Sequence, residues 1–299
     1  MKCLVLSPIP RHLPIELRIR SLMNDAPPTM AELCDDLSSE HALIRDLVIG
    51  LGKEELGTPT PSQGWSIGDQ LNHLAYFDEK VLLSAIDPEE FARDVERAIA
   101  DFEAYEASHL QIGRNKSPIE LIGWWETSRS RLIDLFSAMD PKERLAWYGP
   151  SMSARSSATA RFMETWAHGL DIFDALGVVK PANENVRHIC DLGVRTREFS
   201  FAIRSTEPPP ESIYVELISP SQDHWTWGAP DSSNTVKGLA YEFACTVTQR
   251  RNLADTGIVV TGPAANAWMQ IAQAFAGPPG PGRPPSRSAV SPKNAVRRN

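Results

Sequence analysis

The 299-residue chain has only four cysteines, Cys3, Cys34, Cys190 and Cys245, and no two form a C-x-x-C pair. That usage excludes a disulfide framework, implies no thiol site by spacing, and fits a reduced cytosolic protein. No run approaches the roughly 18 to 20 apolar residues that span a bilayer. The N-terminal stretch also has the wrong order of regions for a secretory leader, so a cytoplasmic protein away from the membrane is expected. Positive charge is in short supply: 30 Lys and Arg face 38 Asp and Glu, for a net charge of −8. A nucleic-acid binder needs a cationic face to displace counterions from phosphates, so a small-molecule or protein partner is expected instead. No internal repeat is evident.

What is present is enough apolar material for one large core or two ordinary ones, and two domains is the expectation. Residues 1–28 carry Pro8, Pro10, Pro14, Pro27 and Pro28 without periodicity and read as a disordered extension, with Met23 or Met30 as alternative starts. Residues 278–299, rich in Pro and Gly and then basic, read as a disordered tail. Between them lie repeated helix-start signals, a capping residue followed three positions later by an acid that satisfies orphaned backbone donors. Thr29 with Glu32 opens a helix with the stripe Leu33, Leu37, Ile44, Leu47 and Val48. Ser66 with Asp69 opens a second, Asp87 with Pro88 and Glu90 a third to about Leu110, and Ser117 with Pro118 and Glu120 a fourth to about Met139. A fifth spans about Ala154 to Leu176. Residues 29–180 are therefore expected to form a helical bundle. Residues 181–277 read as a small α+β domain: a helix at about 185–204, strands at Ile213–Ile218, Trp225–Trp227 and Gly257–Thr261, and helices at about 235–250 and 263–276.

Glu164 and His168, in the segment M-E-T-W-A-H-G-L-D, stand four apart and so about 40° apart on one helix face, within reach of a single ion. Asp171 falls on the same face, as a fourth ligand or an acceptor that orients its neighbours. His73 lies two turns into the second helix, between Leu71 and Leu74, where a side chain faces a bundle interior. Two imidazoles and a carboxylate from separate helices suit zinc with positions left open. The plainer alternative is that both histidines are hydrogen-bonded core residues, because this spacing also occurs in helices that bind nothing.

The stretch Trp65–Leu74, with Glu164-Thr165-Trp166-Ala167-His168-Gly169-Leu170-Asp171, resembles the metal-binding N-terminal domain of mycothiol-dependent maleylpyruvate isomerases, within the wider DinB-like four-helix superfamily. The resemblance covers about residues 30–180 and continues through V-T-Q-R-R at 247–251 and A-Q-A-F-A-G at 272–277. It implies an α+β protein whose DinB-like bundle precedes a small C-terminal domain, with His73, Glu164 and His168 holding one divalent ion, Zn2+ by preference. It further implies mycothiol as the thiol cosubstrate, with a small-molecule electrophile as its partner, in an isomerase or an S-transferase that is a monomer or homodimer. Arg250 and Arg251 follow the helix expected at 235–249 and are catalytic candidates for an acidic substrate. Their plainer reading is charge that complements the helix C-terminus. Where the isomerases tend to end in a Gly-Arg pair, this chain has Pro278-Pro279. The alternative function is a non-catalytic, metal-stabilised protein whose C-terminal domain binds a partner or an apolar ligand. Trp65 and Trp166 are expected to pack near the site, Asp69 to complete a cap, and Trp225 and Trp227 to pack or line a cleft.

Overall fold

The computed structural model describes residues 27–286. The readings for residues 1–26 and 287–299 lie outside it. Four helices make the bundle: α1 (Met30–Val48), α3 (Ile67–Ile86), α6 (Pro118–Ala138) and α7 (Ala154–Ala175), with a single turn, α2 (Lys53–Leu56), after α1. Their starts follow the local chemistry. Thr29, Ser66 and Ser117 each accept from the third backbone N–H while Glu32, Asp69 and Glu120 reach back to the cap. Around the ring, α1 packs on α7, α7 on α3, α3 on α6, and α6 on α1.

The segment expected as one helix to Leu110 is two, α4 (Pro88–Ala100) and α5 (Phe102–Arg114). Asp101 sits between them in an extended conformation and accepts from Ala104 N, because a short carboxylate favours a cap over a helix interior. Both helices lie against α3. A two-residue pairing of β1 (Arg144–Leu145) with β2 (Met152–Ser153) closes the connection to α7.

Beyond the bundle, the helix expected at 185–204 is also broken, into a turn at Glu184–Val186, α8 (Arg187–Arg195) and α9 (Arg197–Ala202). A four-stranded sheet follows in the order β4-β3-β5-β6, from β3 (Ile213–Ile218), β4 (His224–Trp227), β5 (Asn234–Leu239) and β6 (Val259–Thr261). Strand β5, which runs parallel to β3, occupies the start of the helix expected at 235–250, so α10 is only Ala240–Val247. Thr235 and Val236 supply the branched side chains of a central strand, and Val236 is buried in the core. At Gly238, one residue before the strand ends, a Cβ would meet Ile258 Cδ1 at 2.6 Å, so that side chain would have to shift to admit one. The last helix, α11, spans Pro263–Met269 and not 263–276.

The largest apolar cluster crosses the boundary expected at residues 180/181. Phe162, Trp166 and Leu170 of α7 share it with Val215, Val236, Phe243 and Trp268. Lys180, the last residue before that boundary, is tied back into the bundle by a buried ion pair with Glu40 of α1. Residues 278–286, expected to belong to a disordered tail, lie along this junction. Arg283 donates to the Arg250 carbonyl and to Asp171, and Ser286 donates to Asp255. Two carboxylates of α7 near a guanidinium anchor a stretch that has no apolar reason to fold. Among the described residues, no helix is long and apolar enough to cross a membrane.

Candidate metal centre

His73 on α3 and Glu164 and His168 on α7 converge. One ligand atom from each lies within 4.8 Å of the others. His73 Nε2 is 3.6 Å, and His168 Nε2 3.1 Å, from Glu164 Oε2, and the two imidazole rings are 4.3 Å apart. Two connections bring the helices into this register. Arg161, one turn before Glu164, donates through Nε to Asp78 and through Nη2 to the Leu74 carbonyl beside His73. Arg129 of α6 faces the other Asp78 oxygen at 2.9 Å and donates to Thr165.

The protons around His168 can be assigned by following the hydrogen bonds inward. The Thr60 hydroxyl donates to the Trp65 carbonyl at 2.9 Å, which leaves its oxygen to accept from Gln70 Nε2 at 2.8 Å. Gln70 therefore presents its carbonyl oxygen to His168 Nδ1, which must carry the proton. The other nitrogen, Nε2, is then a lone pair pointed at an oxygen of Glu164 with no hydrogen between them. Two acceptors at that distance repel unless a cation is shared between them. Protonating His168 fully is the competing remedy, and burial opposes it by pushing that imidazole's pKa down. Burial and then the neighbouring His168 push His73 from 6.5 to about 3, against the opposing pull of Glu164. Burial alone would raise Glu164, but the imidazoles of His168 and His73 beside it outweigh that and hold the carboxyl well below its ordinary 4.5. The result is one anion and two neutral imidazoles, the protonation state a divalent cation requires of its ligands. His73 Nδ1 is buried without a hydrogen-bond partner among the described residues, and Trp65 stacks on His168 with ring centres 5.7 Å apart. This donor set fits a metal ion on its own chemistry.

Asp171 is committed to other partners. Its carboxylate is fully buried and occupied by the Ser62 hydroxyl, by Arg250 Nε at 3.0 Å and by Arg283. Arg250 also donates to the Ala167 carbonyl, next to His168, and its charge is among the influences lowering the His168 pKa. It reaches this position because α10 ends in a Schellman turn. Gln249 adopts φ of 57°, Arg250 N bonds the Cys245 carbonyl, and Gln249 N bonds that of Thr246. Arg251 points elsewhere, to a two-bond pairing with Asp174 at 2.7 Å. Asp69 completes its cap and binds Arg114 as well. Trp166 is buried against Tyr241 and Lys180. Sequence reading did not single out Gln70, Thr60, Arg161 or Arg283. Gln70 alone carried a local signal, as a polar residue one turn before His73 on a face otherwise set by Ile67, Leu71 and Leu74.

The model of the mycothiol maleylpyruvate isomerase N-terminal domain matches residues 37–173, a span that includes all three converging side chains. Two Mycobacterium tuberculosis proteins, the uncharacterized proteins MT0041 and Rv0036c, are each 43% identical to this chain over 248 residues, covering 83% of it and 96% of their own length. The chain belongs to the mycothiol-dependent maleylpyruvate isomerase-like family. The crystal structure of the mycothiol-dependent maleylpyruvate isomerase superposes with a TM-score of 0.54 at 14% identity, over 80% of this chain and 96% of that one. A histidine-to-alanine mutant of the same enzyme gives 0.53. At that identity the likeness establishes the shared α+β fold, with its helical bundle first and its sheet second.

Proposed function

We propose that this family member is a metal-dependent enzyme of a low-molecular-weight thiol, mycothiol by family, acting as an isomerase or S-transferase on an electrophilic small molecule. His73, Glu164 and His168 hold the ion in this reading, with zinc the best match to two imidazoles and a carboxylate. The observation that carries it is the bare lone pair of His168 facing Glu164, a contact that a shared cation makes favourable where burial disfavours protonation. Bound there, a divalent cation would favour thiolate over thiol at neutral pH and so supply the nucleophile.

The protein's own groups do the rest. Gln70 fixes the tautomer and ring angle of His168, and Thr60 fixes Gln70. Trp65 covers one face of His168 and limits the approach of water. Arg250, held by Asp171 and the Ala167 carbonyl, places a positive charge near the centre, where it serves to orient an anionic substrate. Arg251 is a positioning residue, since its guanidinium is committed to Asp174 and ties the end of α10 to α7. This replaces the expectation of a catalytic pair with one candidate, Arg250.

A thermal-shift panel tests the assignment. Mycothiol should raise the Tm of the metal-loaded protein and leave the metal-stripped protein unmoved, with glutathione and bacillithiol giving smaller shifts. Absence of any shift with every thiol would remove the thiol chemistry while leaving the metal centre to be judged separately.

A further inference from the structure

We propose that Arg283, on the strap of residues 278–286, is a positioning residue that gives the metal centre its preference for an anionic ligand. This rests on the reading of Arg250 as the group that orients an anionic substrate, and it supplies the charge which that reading needs. Arg250 Nε donates to the Ala167 carbonyl, beside His168, and lies 3.0 Å from an oxygen of the buried Asp171. Alone, the two would form a neutral pair. Such a pair attracts an anion weakly, because the field of the carboxylate cancels that of the guanidinium.

Arg283 changes that balance and fixes the geometry. Its Nη2 donates to Asp171 Oδ1, while Ser62 and Arg250 occupy Oδ2. Its Nη1 donates to the Arg250 carbonyl at 2.8 Å. Arg250 is thereby held at both ends, its side chain through the shared carboxylate and its backbone directly. The neighbouring acid, Asp174, is taken up by two bonds from Arg251. Two carboxylates therefore face three guanidinium groups, and one positive charge is left over. Among the described residues Arg250 Nη2 makes no hydrogen bond, so the same side chain keeps a nitrogen uncommitted for an anion.

The main chain is fixed on both sides of Arg283. Before it, Arg204 Nη2 donates to the Gly280 carbonyl, and after it, the backbone N–H and hydroxyl of Ser286 both donate to Asp255. The carbonyl of Arg283 itself accepts from Asn252 at 2.8 Å. Five prolines between positions 278 and 285 restrict this backbone before it docks, which lowers the entropy lost on ordering it. Gly282, immediately before Arg283, adopts φ of 66°, a left-handed conformation that favours glycine.

Cobalt-substituted full-length protein tests this, because a thiolate bound to cobalt(II) gives a charge-transfer band that reports binding without turnover. Titrated with mercaptopropionate and with the neutral mercaptoethanol, the wild type should prefer the carboxylate by about tenfold. Arg283→Gln should cut that preference to about twofold or less, with cobalt affinity and mercaptoethanol binding unchanged. Arg283→Lys keeps the charge without the forked geometry and should retain a preference of at least about threefold. Thermal melts of the cobalt-free proteins would verify that both variants are folded. Equal binding of the two thiols by the wild type, an undiminished preference in Arg283→Gln, or no preference in Arg283→Lys would each overturn the proposal. So would loss of cobalt or of both thiols in Arg283→Gln, which would make Arg283 a structural support only. Wild-type protein that takes up no cobalt, or gives no band with either thiol, would remove the metal or thiol reading beneath the proposal and the proposal with it.

Discussion

The seam between α3 and α7 and the core beneath the C-terminal sheet are both buried, but they are built from opposite materials. The seam holds Asp78, Arg129, Arg161, His73, Glu164 and His168, charged or titratable groups that each need a partner. The core under the sheet is Val215, Leu217, Val236, Phe243 and Trp268, which need only shape and exclusion from water. A protein gains little net stability from buried ion pairs compared with apolar packing. Polar groups gathered at one seam therefore mark where chemistry is placed, and the apolar domain beside it supplies the stability that the seam does not.

That contrast is easiest to break at Asp78, whose carboxylate separates two buried guanidinium groups. Asp78→Ala leaves both cations unpaired and should destabilise the protein by about 3–5 kcal/mol in urea unfolding, losing metal as it does so. In the other region, Leu217→Ala opens a cavity under β3 and should cost about 2–5 kcal/mol, yet leave the metal content of the folded protein unchanged. If Leu217→Ala empties the metal centre of protein that remains folded, the two regions are coupled and the contrast between them fails.

A finer cut comes from Gln70, which touches the site without being a ligand. Gln70→Leu should weaken metal affinity roughly 10- to 100-fold, read by competition with a chromogenic chelator, with little change in the Tm of metal-free protein. Acid should separate the regions too. His73 is held down to about 3 in the folded protein and returns to about 6.5 when unfolded, so the unfolded state binds more protons between those values. Stability of metal-free protein should rise with pH across that window and fall as the solution is acidified from 6.5, with Glu164 adding to the loss below 4.5. The His73→Phe variant should flatten the upper part of that profile, which a series of urea melts would reveal.

How far the sequence spoke for itself also differs between the two regions. In the bundle, helix starts are written in four consecutive residues, as at Thr29–Glu32 and Ser66–Asp69, and the structure places them there. Glu164 and His168 share one helix, so their spacing alone put them on a common face, and His73 was a candidate from its place between Leu71 and Leu74 that the resemblance then joined to them. The supporting groups were not legible because their partners are remote: Gln70 meets His168 across 98 positions, and Arg283 meets Asp171 across 112. Strand β5 was hidden for another reason. It is six residues long and runs into α10 with no intervening turn, so its β-branched residues were absorbed into the helix that follows. At Asp101, a capping residue with an ordinary sequence context divided one expected helix into two.

Elemental analysis of protein purified without an affinity tag decides whether His73, Glu164 and His168 hold an ion. About one equivalent of divalent metal should accompany the wild-type protein, and the variants His73→Ala, Glu164→Ala and His168→Ala should each carry far less while remaining folded. Wild-type protein that carries none, and takes up none when zinc is titrated in, would leave the lone pair of His168 facing Glu164 with no cation to reconcile them and would contradict a metal centre at these residues.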